Sequence, residues 1–88
     1  MYYILTYDLA SPKRLPKALK ICRKFLNWVQ NSVFEGELTT HQMDRLMSEL
    51  KRIINKDEDS VIVYAARTPE VISKEVLGIE KNEITIFL

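Results

Sequence analysis

Residues 28–38 read WVQNSVFEGEL, an extended run between two segments of helical periodicity. Its aromatic and β-branched residues are typical of strands. Composition alone predicts one long or bent strand with a weak point near Gly36, because glycine weakens the interior of a strand. Extended structure therefore separates the two helices, which favours a mixed α and β fold.

Two further strands and two helices are predicted around this run. Tyr2–Asp8 is rich in β-forming residues, and Ser60–Ala66 is strongly β-branched, which is typical of a central, buried strand. The first helix is predicted from about Lys13 to Asn27. The second is predicted to begin at Thr39, which forms a capping-box pair with Gln42.

Both predicted helices have apolar residues at helical spacing, which predicts one buried face on each. These residues are Leu15, Ala18, Leu19, Cys22, Phe25 and Leu26 in the first helix, and Met43, Leu46, Met47, Leu50, Ile53 and Ile54 in the second. Pro16 is tolerable only in a first helical turn. The order β-α-β(-β)-α-β fits an α+β sandwich of the ferredoxin-like kind, with additional C-terminal β-structure.

The C-terminal part predicts more extended structure within a single domain of residues 1–88. Thr68-Pro69 ends the preceding strand, Val71–Leu77 is predicted as a short strand, and Gly78 as a turn. In the segment 79–88, residues 83–88 are predicted to form a last strand, which needs a partner. Pairing with a second subunit and packing at the edge of its own sheet both remain open.

Composition places the chain among small globular proteins. It has 88 residues, 47% of them hydrophobic, and a net charge of +1. Six basic residues and one acidic residue lie in residues 1–34, whereas residues 35–88 hold seven basic and eleven acidic ones. This polarity predicts a basic side that meets a polyanion. One cysteine excludes an internal disulfide. Without a signal segment or a membrane-spanning run, we expect a soluble cytoplasmic protein and no membrane partner.

Asp8 is the only acidic residue among the first 34, and it stands between the first strand and the basic part of the chain. A carboxylate at a strand end beside a basic helix suggests a divalent metal site next to a phosphate-binding surface. A turn residue is the alternative, because aspartate bonds locally at strand ends. The candidate nucleic-acid-binding residues are Lys13, Arg14, Lys17, Lys20, Arg23 and Lys24. A solvated helix face is the alternative interpretation of the lysines.

Several motifs together resemble the CRISPR-associated protein 2 family. They are Tyr7-Asp8 at the end of the first strand, the basic first helix, the run Val29–Leu38, and Gly78-Ile79 before a final strand. The resemblance covers essentially the whole chain. It implies a ferredoxin-like fold in which residues 28–38 supply two strands. It also implies a symmetric homodimer whose C-terminal strand joins the partner's sheet.

The resemblance further implies a function in CRISPR antiviral defense. Family members are Mg²⁺-dependent endoribonucleases, some cut double-stranded DNA, and they bridge integrase dimers during spacer acquisition. By position, Asp8 matches the family's metal-binding and catalytic aspartate, contributed once by each subunit. The ion is expected to be Mg²⁺ or Mn²⁺. The possible supporting residues are Tyr7, Ser11 and Phe34. Some relatives carry an arginine at the position of Trp28, and that arginine is a candidate contact to the scissile phosphate. This chain departs from that pattern.

Two functions therefore stand side by side. One is a metal-dependent endonuclease that acts on single-stranded RNA or duplex DNA, with Asp8 of each subunit holding the ion. The other is a non-catalytic scaffold that clamps duplex DNA by its backbone and holds the CRISPR integrase.

Overall fold

A computed structural model of the chain describes residues 1–82. Its elements, in chain order, are β1 (Tyr2–Asp8), α1 (Leu15–Phe25), β2 (Asn27–Gln30), β3 (Val33–Glu37), α2 (Thr40–Lys51), β4 (Ser60–Ala66) and a short 3₁₀ helix (Pro69–Val71). The strands form one sheet in the order β2-β3-β1-β4, and every neighbouring pair is antiparallel. This βαββαβ order and sheet topology confirm the predicted ferredoxin-like α+β fold.

One face of the sheet packs against the two helices and forms the core. Alternation along β1 directs Tyr3, Leu5 and Tyr7 into that core, together with Phe34 of β3. The helices complete it with Ala18, Cys22, Met43, Leu46 and Leu50. These residues belong to the two predicted apolar helical faces, so the period of each helix was read correctly.

In the described part of the chain no helix covers the other face of the sheet, and we call it the open face. Strand alternation and register place on it Ile4, Thr6, Asp8, Ser60, Ile62 and Tyr64 of β1 and β4. Ile62 is 47% exposed and Tyr64 is 59% exposed. Large apolar side chains of β4 are therefore left uncovered in the single chain.

The helices begin where local chemistry allows. Pro16 occupies the second position of α1, where the missing N–H is not needed. The helix starts at Leu15, not Lys13, and ends at Phe25 because β2 begins two residues later. The predicted capping box of α2 is present between Thr39 and Gln42. Among residues 1–82, neither helix has the length and apolar run needed to cross a bilayer.

Residues 28–38 form a hairpin, so the prediction of one continuous strand from composition was wrong. The break lies at Asn31-Ser32, where Asn31 has a positive φ of 44° that asparagine tolerates in turns. Gly36 is a buried part of β3. A Cβ atom added there would lie 3.3 Å from Leu26 Cδ2, so glycine serves close packing there. The two strands implied by the family resemblance are confirmed.

Two other predictions need correction, and one lies outside the described residues. Among the described strands, β4 lies at the edge of the sheet and not at its centre, because β1 takes the inner position. Val71–Leu77 is not a strand: a 3₁₀ turn ends at Val71 and no regular structure follows up to Leu77. The strand predicted at 83–88 lies outside the described residues.

Candidate functional site

Asp8 is the last residue of β1, on the open face of the sheet. Its side chain is exposed, and its partner in the register is Ser60 of β4. The neighbouring Tyr7 points to the opposite face, and its backbone N–H donates to the Ser32 carbonyl at 3.2 Å. This backbone contact joins the end of β1 to the β2–β3 turn. Asp8 therefore presents an accessible carboxylate from a rigid sheet.

Asp8 is the residue to test as a ligand for a divalent ion. Within residues 1–82, no group of three or more His, Cys, Asp or Glu side chains is arranged to hold an ion. Mg²⁺ requires oxygen ligands but keeps several waters, and one or two carboxylates suffice. The donor chemistry of Asp8 fits such an ion when a second carboxylate comes from another copy of the chain.

The candidate cationic residues of the first helix separate into two groups. Lys13, Lys17, Lys20 and Arg23 are exposed, and none of them forms an ion pair within residues 1–82. Arg14 and Lys24 are engaged. The Lys24 ammonium pairs with Glu49 of α2, and the Arg14 guanidinium holds Asp59 in two hydrogen bonds of 2.7 and 3.0 Å. Four cations therefore remain available for phosphate.

The possible supporting residues have mainly structural contacts. Phe34 is fully buried and stacks on Tyr7 with a centroid distance of 5.9 Å. Burial raises the pKa of the Tyr7 hydroxyl, which keeps it protonated. The Ser11 hydroxyl accepts a hydrogen bond from the Lys13 N–H at 3.2 Å, which is a local turn contact.

Sequence reasoning missed a groove on the helix side of the same end of the sheet. It lies between α1, the end of β1 and the β2–β3 turn, and Trp28 and Arg23 are among its lining residues. The Arg23 guanidinium carbon lies 5.8 Å from the Trp28 ring centroid. In the sequence, Trp28 is notable only as a replacement for the arginine of some relatives. No spacing in the sequence relates Trp28 to Tyr7.

A second feature missed by sequence reasoning ties residues after β4 to the open face. Glu35 is buried there, and its carboxylate accepts a 2.6 Å hydrogen bond from the Tyr2 hydroxyl and pairs with the Lys74 ammonium at 2.5 Å. The Asn82 amide donates to the Trp28 carbonyl of β2 at 2.5 Å. The described part of the segment after β4 thus reaches across to β3 and β2.

The fold and this site define a small ferredoxin-like protein with a strand-end carboxylate beside a cationic helix. Comparison with known proteins gives the family. A family profile described as CRISPR associated protein Cas2 matches residues 1–71. The chain belongs to this family, which confirms the resemblance.

Individual relatives agree with that assignment. The chain is 47% identical over 83 residues to the CRISPR-associated endoribonuclease Cas2 of Dictyoglomus turgidum and 48% identical over 83 residues to that of Thermotoga maritima. In both cases the match covers 94% of each chain. A solved structure described as the crystal structure of cas2 superposes with a TM-score of 0.85 at 36% identity. It covers 100% of this chain and 98% of that one.

Proposed function

We propose that this protein is a metal-dependent endonuclease of the CRISPR system, active as a homodimer in which Asp8 of each subunit contributes to one Mg²⁺ or Mn²⁺ site. The observation that carries the proposal is the exposed Asp8 carboxylate on the open face, beside uncovered apolar residues of β4. Relatives that are 47% and 48% identical are named endoribonucleases. We propose the same class of substrate here, single-stranded RNA or duplex DNA.

The open face supports the pairing of two subunits. Ile62 and Tyr64 would bury their apolar surface against a second copy, and a two-fold axis near Asp8 would bring two carboxylates together. Two close carboxylates repel each other unless a cation or a proton intervenes. The pair would therefore favour a divalent ion and hold it at the interface.

The chain's own residues would bind and orient the substrate. Lys13, Lys17 and Lys20 are exposed on or next to α1, and their ammonium groups would neutralise successive phosphates without reading sequence. The Asp8 carboxylates would hold the ion near the scissile phosphate. A divalent ion at that place would polarise a phosphoryl oxygen and lower the pKa of a bound water.

A specific observation also supports the second function. Within residues 1–82 no group of three or more metal-ligating side chains is present, whereas Lys13, Lys17, Lys20 and Arg23 are exposed cations. The protein would then serve in spacer acquisition as a scaffold that grips duplex DNA and holds the CRISPR integrase. In that case Asp8 would be dispensable in cells and the lysines would not.

Asp8→Ala separates the two functions. If the nuclease proposal holds, we expect this change to lower the cleavage rate of purified protein roughly 100-fold, with EDTA acting similarly on the unmodified chain, because the ion stabilises developing charge. Cleavage of labelled single-stranded RNA and of duplex DNA gives the rate. Asp44→Ala is the control: it removes an exposed aspartate on α2, and the variant protein should cleave at the normal rate. Equal cleavage by Asp8→Ala, with and without EDTA, would refute the nuclease proposal.

The same variant in cells tests the scaffold. Spacer acquisition would persist in Asp8→Ala and be lost when Lys13, Lys17 and Lys20 are all changed to Glu, if the scaffold function is the relevant one. Loss of acquisition in Asp8→Ala, at unchanged duplex affinity and protein level, would instead assign the catalytic function to that process.

A further inference from the structure

The groove beside α1 has the size and walls of a ligand site. Its volume is about 590 Å³, within the range of small-molecule pockets. Leu15, Pro16 and Leu19 of α1 form one wall, and Tyr7 and Trp28 contribute aromatic rings. Leu15 is 40% exposed, so apolar surface remains accessible to a ligand.

The polar groups of the groove leave an aromatic face and a positive charge for a ligand. The Trp28 indole N–H is already satisfied, because it donates to the Asn31 carbonyl at 2.9 Å. Trp28 can therefore contribute its ring surface but no further hydrogen bond. Arg23 is exposed, and its guanidinium lies over one face of that ring. It carries the only formal charge among the described residues that line the groove.

The charge continues beyond the groove along α1. Leu15, Leu19 and Arg23 follow each other at four-residue spacing, so they lie along one side of the helix. Lys20 is exposed and next to Leu19 in sequence, one step further round the helix. A ligand seated in the groove would thus have a planar apolar part inside and an anionic part outside.

We propose that this groove receives an unpaired nucleobase of a single-stranded nucleic acid, with the base against Trp28 and the adjoining phosphate on Arg23 and Lys20. The inference rests on the proposed function in that the ligand is a nucleic acid. Aromatic side chains bind successive bases by stacking, and arginine adds cation–π attraction and phosphate binding. Bases inside an intact duplex are already stacked and cannot enter.

The location of the groove is compatible with the proposed dimer. Tyr7 points to the helix side of the sheet, whereas Asp8, the next residue, lies on the open face. One strand end therefore separates the base groove from the carboxylate. An apolar segment of a protein partner would match the leucine wall but would leave Arg23 without a counter-charge, so the nucleotide fits better.

Trp28 is the only tryptophan of the chain and reports directly on the groove. The titration uses the Asp8→Ala protein in EDTA, so that the nucleic acid is not cleaved during the measurement. The protein is titrated with ten-nucleotide oligo(U), with oligo(dT) and with a blunt ten-base-pair duplex. We expect the single strands to quench Trp28 emission and the duplex to leave it unchanged. By fluorescence anisotropy, Trp28→Leu should weaken single-strand binding roughly tenfold and leave duplex affinity intact.

Two further variants act as controls. Trp28→Phe retains an aromatic face and should keep most of the single-strand affinity. Phe25→Leu removes a partly buried aromatic side chain of α1 that lies outside the groove. Phe25 also lies near two cations, as Trp28 lies near Arg23. This variant should bind single strands like the parent protein.

Unquenched emission with every single strand, or equal loss of single-strand and duplex affinity in Trp28→Leu, would overturn the base groove. A response of Trp28 to the integrase and not to oligonucleotides would assign the groove to a protein and overturn it as well. These measurements record binding without cleavage. The base groove can therefore be confirmed even if the Asp8→Ala experiment refutes the nuclease proposal.

Discussion

Asp59 holds together two parts of the chain that are distant in sequence. Its carboxylate receives the Arg14 guanidinium in a bidentate pair, the Ala10 N–H at 2.8 Å and the Asn55 N–H at 2.8 Å. The side chain of Asp59 has no exposed surface. The residue therefore joins the β1–α1 loop, the start of α1 and the turn before β4, next to the strand end that carries Asp8.

The charge of Asp59 predicts how stability depends on pH. The hydrogen bond from Arg14, followed by those from backbone N–H groups, lowers the pKa of Asp59 from 3.8 to about 2. Because the folded pKa lies below the unfolded value, the ionised carboxylate contributes stability above pH 3.8, and this contribution is lost as the pH falls towards 2. We expect Asp59→Asn to melt earlier at neutral pH and to lose less stability on acidification than the parent.

Thermal melting of both proteins from pH 7 down to pH 2 checks this expectation. Asp57→Asn removes an exposed aspartate of the same turn and should follow the parent curve. Parallel curves for Asp59→Asn and the parent would show that the Arg14 pair contributes no pH-dependent stability.

At the scale of elements, the N-terminus of α2 is the clearest case of local sequence determining structure. The Thr39 hydroxyl accepts from the Gln42 N–H at 3.1 Å, and the Gln42 side-chain carbonyl accepts from the Thr39 N–H at 2.9 Å. Two free N–H groups are thereby satisfied within four residues. Local contacts therefore set the residue at which the helix begins.

Removing that cap should weaken the whole domain, because α2 contributes Met43, Leu46 and Leu50 to the core. We expect Thr39→Ala to lower the free energy of unfolding by about 0.5–2 kcal/mol, and Thr39→Ser to lower it much less. Urea denaturation followed by circular dichroism measures the difference. Thr40→Ala, one position inside the helix, is the matched control. Equal losses at positions 39 and 40 would contradict a specific capping role.

At the scale of the whole molecule, the open face is the part of the sheet that exposes apolar side chains to solvent. Ile62 and Tyr64 expose apolar surface on β4, in line with the exposed Asp8 carboxylate of β1. Up to residue 82, the segment that reaches Glu35 and Trp28 contacts the β3 and β2 side. The proposed dimer would hide the rest and assemble the carboxylate pair in a single step.

A charge on the β4 part of this face should therefore prevent both assembly and cleavage. We expect Tyr64→Glu to convert a dimer into a monomer, since burying an unpaired carboxylate is costly, and to abolish cleavage although Asp8 is retained. Light scattering after size-exclusion chromatography gives the mass. Tyr64→Phe should remain dimeric. A dimeric Tyr64→Glu protein, or an active monomer, would place the subunit contact or the active site elsewhere.

Much of the fold could be predicted from the sequence, and the exceptions share one cause. The strands at 2–8 and 60–66, both helices and the apolar helical faces follow from short-range periodicity and capping, and the structure confirms them. Composition did not predict the hairpin turn at Asn31-Ser32, because the register of the hairpin strands depends on the pairing of β3 with β1. The strand expected at 71–77 failed because apolar residues there lack a sheet neighbour among the described strands.

The candidate site divides in the same way. Its chemistry was readable, because a lone carboxylate at a strand end and a run of cations occur within 24 residues of the N-terminus. Which cations are available was not readable. Arg14 is held by Asp59 and Lys24 by Glu49, partners that are 45 and 25 residues away.

The sequence by itself determined both helices, the strands at 2–8 and 60–66, the cap of α2 and the family, because these depend on neighbours within a few positions or on matched motifs. Only the tertiary structure decided that β4 lies at the edge of the described sheet, that Glu35 is buried, and that Tyr7, Arg23 and Trp28 line one groove. These outcomes depend on strand register and helix packing, which bring together residues that no local pattern relates.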